Sequence, residues 1–305
     1  NHHHSRIPIM TATAATVRRG LSDLTIRNMF VIPTIVFLIL INIFPLFYSL
    51  ILSFADYSAV SAKPPDWIGI QNYRELLRDP HVWESLYITL KYVIISVSGQ
   101  LVVGFGVALL LNRSIPGKGT ITTLLLLPMM MSMAIVGLFW KLLYGPSWGI
   151  INYLLGLGKF VWLSNADVAL LAIAITDIWM WSPFVMLLSL AGLSAIPQHL
   201  YEAAAIDRAS GWFTFSRITL PLVIPLLLIA VIFRTLEAFK TFDLAFIMTG
   251  GGPGTATELI AIKLYNMAFP QWQTGKSCAL AYILLIMIIG ISNIYIKYLN
   301  KAKER

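Results

Sequence analysis

The chain has 305 residues, 58% of them hydrophobic and only 12% charged, with a formal net charge of +8 and a mean hydropathy of +0.77. A soluble domain carries about a quarter charged residues, so these figures exclude an ordinary soluble fold and a disordered chain, and they imply lipid as the main solvent. A single cysteine, Cys278, excludes internal disulfides and cysteine metal clusters. The basic residues are scattered beside apolar runs, which fits membrane orientation better than a phosphate-binding groove.

Residues 1–9, opening NHHHSR, read as the remnant of an affinity tag, so His2, His3 and His4 carry no functional weight. Residues 10–28 read as a cytoplasmic N-terminal segment, and residues 29–305 as one transmembrane domain. A spanning helix needs about 20 apolar residues. Runs of that length cover Met29 to about Phe54, Leu86 to Leu111, Thr120 to Tyr144, Ala166 to Leu193, Pro221 to about Ile247, and Cys278 to Tyr298. The expectation is therefore an all-α, polytopic membrane protein of about six spans. Pro33, Pro45, Gly104, Gly106, Pro128 and Pro183 fall inside these runs, where neighbouring helices tolerate them.

Lys and Arg in short connections orient the spans. Arg18, Arg19 and Arg27 precede the first run; Arg113 and Lys118 follow the second; Arg208 and Arg217 follow the fourth; Lys301, Lys303 and Arg305 close the chain. These segments alternate to share one side, so both termini are expected in the cytoplasm. The opposite connections are balanced in charge. One includes DWIGIQNYRELL, the pattern of a short amphipathic helix, and another, TGGGPGTATELIAIKLYNMAF, turns and then becomes helical.

The stretch EAAAIDRASGWFTFSRITLPLVIP, Glu202 to Pro225, is a polar, alanine-rich patch between two apolar runs. Pro197 suits a first helical turn, Ala203, Ala204 and Ala205 favour helix, and Gly211 is a natural stop, so a short cytoplasmic helix is expected over about 197–211. Small side chains permit close approach by another surface; an ordinary interfacial helix accounts for the same pattern.

The chain carries no phosphate-binding loop. The nearest approach, Gly275-Lys276-Ser277, has Pro270 where the first glycine belongs, and neither HExxH nor GxSxG occurs. Ionisable residues inside spans mark pathways by default. Asp177 lies in the fourth run, and Arg234, Glu237, Lys240 and Asp243 lie in the fifth. Arg234 and Glu237, three apart, share a helical face and suit an internal ion pair. Trp179 and Trp181, near Asp177, offer ring faces for sugar C–H groups, or serve as ordinary interfacial or core residues. Tyr282 and Asn42 are weaker pathway candidates. Met129, Met130, Met131 and Met133 read as packing, and His81 and His199 as solvated loop residues.

The same Glu202–Pro225 stretch resembles the EAA signature of ABC-importer permeases, with Glu202, Ala203, Ala204, Ile218, Leu220, Pro221 and Pro225 matching. GIQNY at Gly69–Tyr73, LLLLPMMMS from Leu124, WGIINYLL at Trp148–Leu155, FRTLEAFKTFD at Phe233–Asp243 and TGGGP at Thr249–Pro253 resemble the sugar-type members, the maltose and glycerol-3-phosphate importers. The resemblance implies a type I permease fold in the inner membrane of a bacterium. It implies Glu202, Ala203, Ala204, Ala205, Asp207, Arg208 and Gly211 as the coupling element. It implies as partners a second homologous permease, two cytoplasmic ATPase subunits that hold ATP and Mg, an extracytoplasmic binding protein and a saccharide. No cofactor is expected in this subunit. The family glycine falls at Arg208, so the turn is expected either to move to Gly211 or to give Arg208 its own contact. Substrate-path candidates are Asp177, Trp179, Trp181, Arg234, Glu237, Lys240 and Tyr282; with Lys141, the basic ones suit an acidic saccharide such as an alginate oligouronate. The rival reading is a stand-alone secondary transporter or channel, which predicts inverted repeats and broken helices around a midplane site.

Overall fold

A computed structural model describes residues 22–303. The tag remnant, Arg18, Arg19 and Arg305 lie outside the described residues, as do the side chains of Lys301 and Lys303. The chain divides into two compact units, residues 1–49 and 50–305.

In the first unit, Ser22 caps helix α1 (Asp23–Leu38) by accepting a hydrogen bond from the Thr25 amide. A π turn, Ile39–Ile43, leads into α2 (Phe44–Ser53), whose residues from Leu50 on belong to the second unit; the apolar helix as a whole covers Leu24–Ser53. Pro45 explains the π turn: its ring displaces the carbonyl of Ile41 four residues back and it has no N–H to donate. Phe44 accordingly donates to Ile39, five residues away. Every side chain from Met29 to Tyr48 is exposed, a pattern suited to lipid or another membrane helix.

The second unit opens with a short antiparallel ribbon, β1 (Ala55–Asp56) with β2 (Asp66–Trp67), then the amphipathic helix α3 (Gln71–Arg78). Asp79 caps α4 (Pro80–Leu111), accepting from the His81 amide at 2.9 Å, with Pro80 at the position that needs no N–H. The expected span from Thr120 to Tyr144 is broken. Helix α5 (Lys118–Leu126) ends before a 3-10 turn at Pro128–Met130; Met131 is extended, and Ser132 precedes α6 (Met133–Leu143). Helices of nine and eleven residues reach about 14–17 Å, half the hydrocarbon thickness. The described residues thus hold five helices long and apolar enough to cross a membrane.

Helix α7 (Ile150–Leu155) is short, and α8 (Ala169–Ser194) is the third long helix. Beyond α9 (Gln198–Ile206), α10 (Gly211–Thr214) passes through a second π turn, Phe215–Thr219, into α11 (Leu220–Phe239). Pro221 acts here on Arg217 as Pro45 does on Ile41, and Leu220 donates to Phe215. The fifth span therefore starts before Pro221 and stops at Phe239, not Ile247; α12 (Asp243–Thr249) is separate, and Lys240 and Asp243 lie outside the span. The TGGGP turn leads to α13 (Ile260–Ala268), and α14 (Thr274–Lys303) completes the unit.

Helices α4 and α8 form the most extensive helix pair and run parallel: Gly99 faces Ile178, and Gly104 faces Ser182 and Met186. At Gly104 a Cβ would lie 2.5 Å from the Ser182 carbonyl oxygen, so only glycine permits this approach. Gly104→Ala should cost about 1–3 kcal/mol by forcing the helices apart, seen as a lower unfolding midpoint in detergent. At one end of the unit, Glu75 on α3 binds Lys276 on α14 at 2.7 Å. The hydrogen bond from Lys276, helped by Gln71, holds the Glu75 carboxyl below its ordinary 4.5. That contribution is complete above pH 4.5 and is lost as the pH falls through the lowered value. Thermal midpoints of the parent and Glu75→Gln should therefore differ slightly at about pH 6 and converge as the pH falls through the lowered value.

Candidate functional site

Two constructions carry the polar chemistry. The first is α9. Its end is closed by Arg208, whose φ of 52° is left-handed. The Ala209 amide donates to Ala204 and the Arg208 amide to Ala205, at 2.9 and 3.1 Å, the paired bonds of a Schellman cap. Arg208 thus keeps the backbone angle that glycine adopts freely, and the turn has not moved. Gly211, expected to end this helix, instead opens α10 behind Ser210, whose hydroxyl accepts from Phe213. The helix buries Ala204 and exposes Glu202, Ala203, Ala205, Ile206 and Asp207, with Ile206 82% exposed. Tyr201 Oη and Thr219 Oγ1 lie 3.1 Å apart, joining α9 to the π turn that leads into α11.

The second is a buried polar cluster between α4, α8 and α11. Arg234 Nη2 lies 3.3 Å from Asp177 Oδ1, and both side chains are at most 3% exposed. Gln100 donates through Nε2 to Asp177 Oδ2 at 2.8 Å and accepts from Arg234 Nε at 2.8 Å. The Arg234 guanidinium also stacks over the Trp181 ring at 4.4 Å, a cation–π contact. Tyr92 and Ser96 are fully buried on the Gln100 face of α4; their hydroxyls, and Nη1 of Arg234, lack a hydrogen bond among the described residues.

The structure corrects the expected pairing. Arg234 binds Asp177, not Glu237, because α11 turns Arg234 inward while Glu237 faces outward and binds Lys240 at 2.7 Å. Trp179, two residues from Trp181, points elsewhere: it meets Trp140 edge-on at 5.5 Å beside an apolar cavity of about 700 Å³ that also touches Pro128, Met131 and Phe139. Tyr282 is half-buried on α14, and Asn42 donates to Leu38 within its own helix. Of the path candidates, then, Asp177, Arg234 and Trp181 come together, while Trp179 and the Glu237–Lys240 pair stand apart. Gln100, Tyr92 and Ser96 are absent from the sequence-based site. Their four-residue spacing, which aligns them on one helical face, was the signal available.

Residues 100–304 match the family described as binding-protein-dependent transport system inner membrane component. The chain belongs to this family. It is 37% identical to the trehalose/maltose transport system permease protein MalF of Thermococcus litoralis, over 79% of this chain and 82% of that one. It is 33% identical to the sulfoquinovosyl glycerol transport system permease protein SmoG of Agrobacterium fabrum, over 92% of each. In fold it is similar to a chain from the crystal structure of a bacterial ABC transporter involved in import of the acidic polysaccharide alginate. The TM-score there is 0.78, at 20% identity, over 90% of this chain and 95% of that one, a likeness of fold alone. The resemblance to sugar-type permeases and the type I permease fold thus hold, and the chain is a non-catalytic, multi-pass permease subunit of an ABC importer.

Two variants probe these constructions. Arg234→Met leaves the Asp177 carboxylate buried and unpaired and should cost about 3–5 kcal/mol, whereas Arg234→Met combined with Asp177→Leu should recover more than half of that loss in detergent unfolding. Arg208→Gly should stabilise the α9 cap by about 1 kcal/mol, and Arg208→Val should destabilise it, read from the same unfolding curves.

Proposed function

We propose that this chain forms half of the transmembrane pathway of an ATP-driven importer for an uncharged saccharide. The observation that carries the reading is α9: a short helix with its small and acidic side chains exposed, closed at Arg208 and tied through Tyr201 to Thr219. A cytoplasmic ATPase that binds and hydrolyses ATP with Mg would dock on Glu202, Ala203, Ala205 and Asp207. Its movement would reach α11 through the Tyr201–Thr219 contact. A second, homologous permease completes the pathway, and an extracytoplasmic binding protein delivers the cargo. The termini and α9 face the cytoplasm, in keeping with the Lys and Arg distribution.

The charge inventory argues for an uncharged cargo. Of the three basic residues offered for an acidic saccharide, Arg234 is paired with Asp177 and Lys240 with Glu237, while Lys141 donates to the Ile247 carbonyl at 3.1 Å and keeps its charge. Two of the three charges are thus already offset by carboxylates. The cargo named for the Thermococcus relative, trehalose or maltose, is uncharged, whereas the sulfoquinovosyl glycerol named for the Agrobacterium relative carries a sulfonate, so the uncharged reading rests on the paired residues.

The test is ATPase activity and uptake by the complex reconstituted with its binding protein, across trehalose, maltose and acidic oligosaccharides. Stimulation by the uncharged sugars, reduced on the order of tenfold by Glu202→Ala while the subunits still co-purify, is the expected result. Uptake driven by an ion gradient, without an associated ATPase, would sink the proposal.

A further inference from the structure

A polar pocket of about 450 Å³ lies between β1, α3 and the turn before α14. It sits at the end of the unit away from α9. Helices α4 and α8 run parallel, so the start of α4, next to α3, is opposite the end of α8 from which α9 departs. On the orientation proposed above, the pocket opens outside the membrane.

Its walls are held rigidly. The Gly275 amide donates to the Tyr57 carbonyl at 2.9 Å, and Thr274 Oγ1 accepts from the Ala59 amide at 3.0 Å. Gly275 lies so close to the Ala55 carbonyl that a Cβ has no room. Asn72, buried beneath, donates to the Ser53 and Ala55 carbonyls. On the open side, the backbone amides of Gln271 and Gln273 donate to Asn266 and Met267. Their side-chain amides make no hydrogen bond among the described residues, yet both line the pocket. Between them Trp272 is held at φ 54°, a left-handed conformation unusual for a bulky residue, with its side chain partly exposed.

We propose that this pocket binds one end of an uncharged saccharide, with the Trp272 indole packed on a sugar ring and Gln271 and Gln273 hydrogen-bonded to its hydroxyls. An amide–indole–amide run supplies an apolar face flanked by donors and acceptors, the combination that a ring with C–H faces and hydroxyl edges requires. The pocket volume falls within the range of small-molecule sites, about 300–1,000 Å³. Its charges disfavour an anion: Lys276 is taken up by Glu75, leaving Asp56 as surplus negative charge. The proposal rests on the saccharide-import reading and extends it to a site where cargo is held before it enters the membrane.

Saturation-transfer NMR on the complete permease–ATPase complex in nanodiscs, without binding protein, tests it, with trehalose and digalacturonate as probes. Transfer to trehalose should occur in the parent, persist in Trp272→Phe, and fall about tenfold in Trp272→Gly and in Gln273→Ala. Glycine accepts the φ at this position, so the Trp272→Gly variant removes the ring without straining the turn. Transfer to digalacturonate should be weaker than to trehalose. No transfer to trehalose, equal transfer in Trp272→Gly, or stronger transfer to digalacturonate overturns the proposal. So does a Trp272→Gly effect confined to affinity for the binding protein, which would make the pocket a protein-docking feature. ATP-driven uptake measured on the same complex separates the two readings. Uptake of a saccharide with no contact at Trp272 defeats the pocket alone, and absence of saccharide uptake defeats the importer reading.

Discussion

The hydrocarbon interior leaves a charged side chain few options, and the Asp177–Arg234–Gln100 cluster answers that constraint. Each charge is neutralised by the other, and Gln100 uses donor and acceptor together, bonding carboxylate and guanidinium at once. Because the three residues come from α4, α8 and α11, satisfying them fixes the relative register of three long helices. A shift of one turn in any of them would leave an ion unpaired in a low-dielectric setting, at a cost no apolar contact offsets. The close approach of α4 and α8 at Gly104 and Ser182 lies about one turn beyond Gln100 and Asp177, so the polar lock and the tightest packing reinforce each other.

Helix α11 gains a second role from this arrangement. Its lower end is joined to α9 through Thr219, and its inward face carries Arg234. The π turns before Pro45 and Pro221 show how the chain keeps long spans continuous despite prolines: one widened turn takes up the missing donor. Pro128 receives no such compensation, and there the third apolar run breaks, opening space beside Trp140 and Trp179. The aromatic residues near Asp177 therefore divide, Trp181 stacking on the buried cation and Trp179 bordering an apolar cavity.

Much of this was legible in the sequence. Composition required lipid, run lengths located four of the long helices closely, and the EAA stretch marked a surface helix whose family the comparisons bear out. The amphipathic pattern of α3 and the Gly/Pro turn before α13 were also readable, because local periodicity and turn chemistry decide them. Hydropathy alone missed the break at Pro128, since an apolar run reads the same whether its helix is whole or divided.

What the sequence by itself determined is the solvent, the approximate spans, the lack of a phosphate-binding loop and the short helix between the fourth and fifth spans, all properties of consecutive residues. Only the tertiary structure decided partners. Arg234 has Glu237 three residues away in sequence, yet it binds Asp177, 57 positions distant, because burial on the α11 face outweighs proximity along the chain. In the same way Arg208 holds a glycine's backbone angle because two hydrogen bonds to Ala204 and Ala205 require it there, a demand set by closing the helix and not by the residue's own preference.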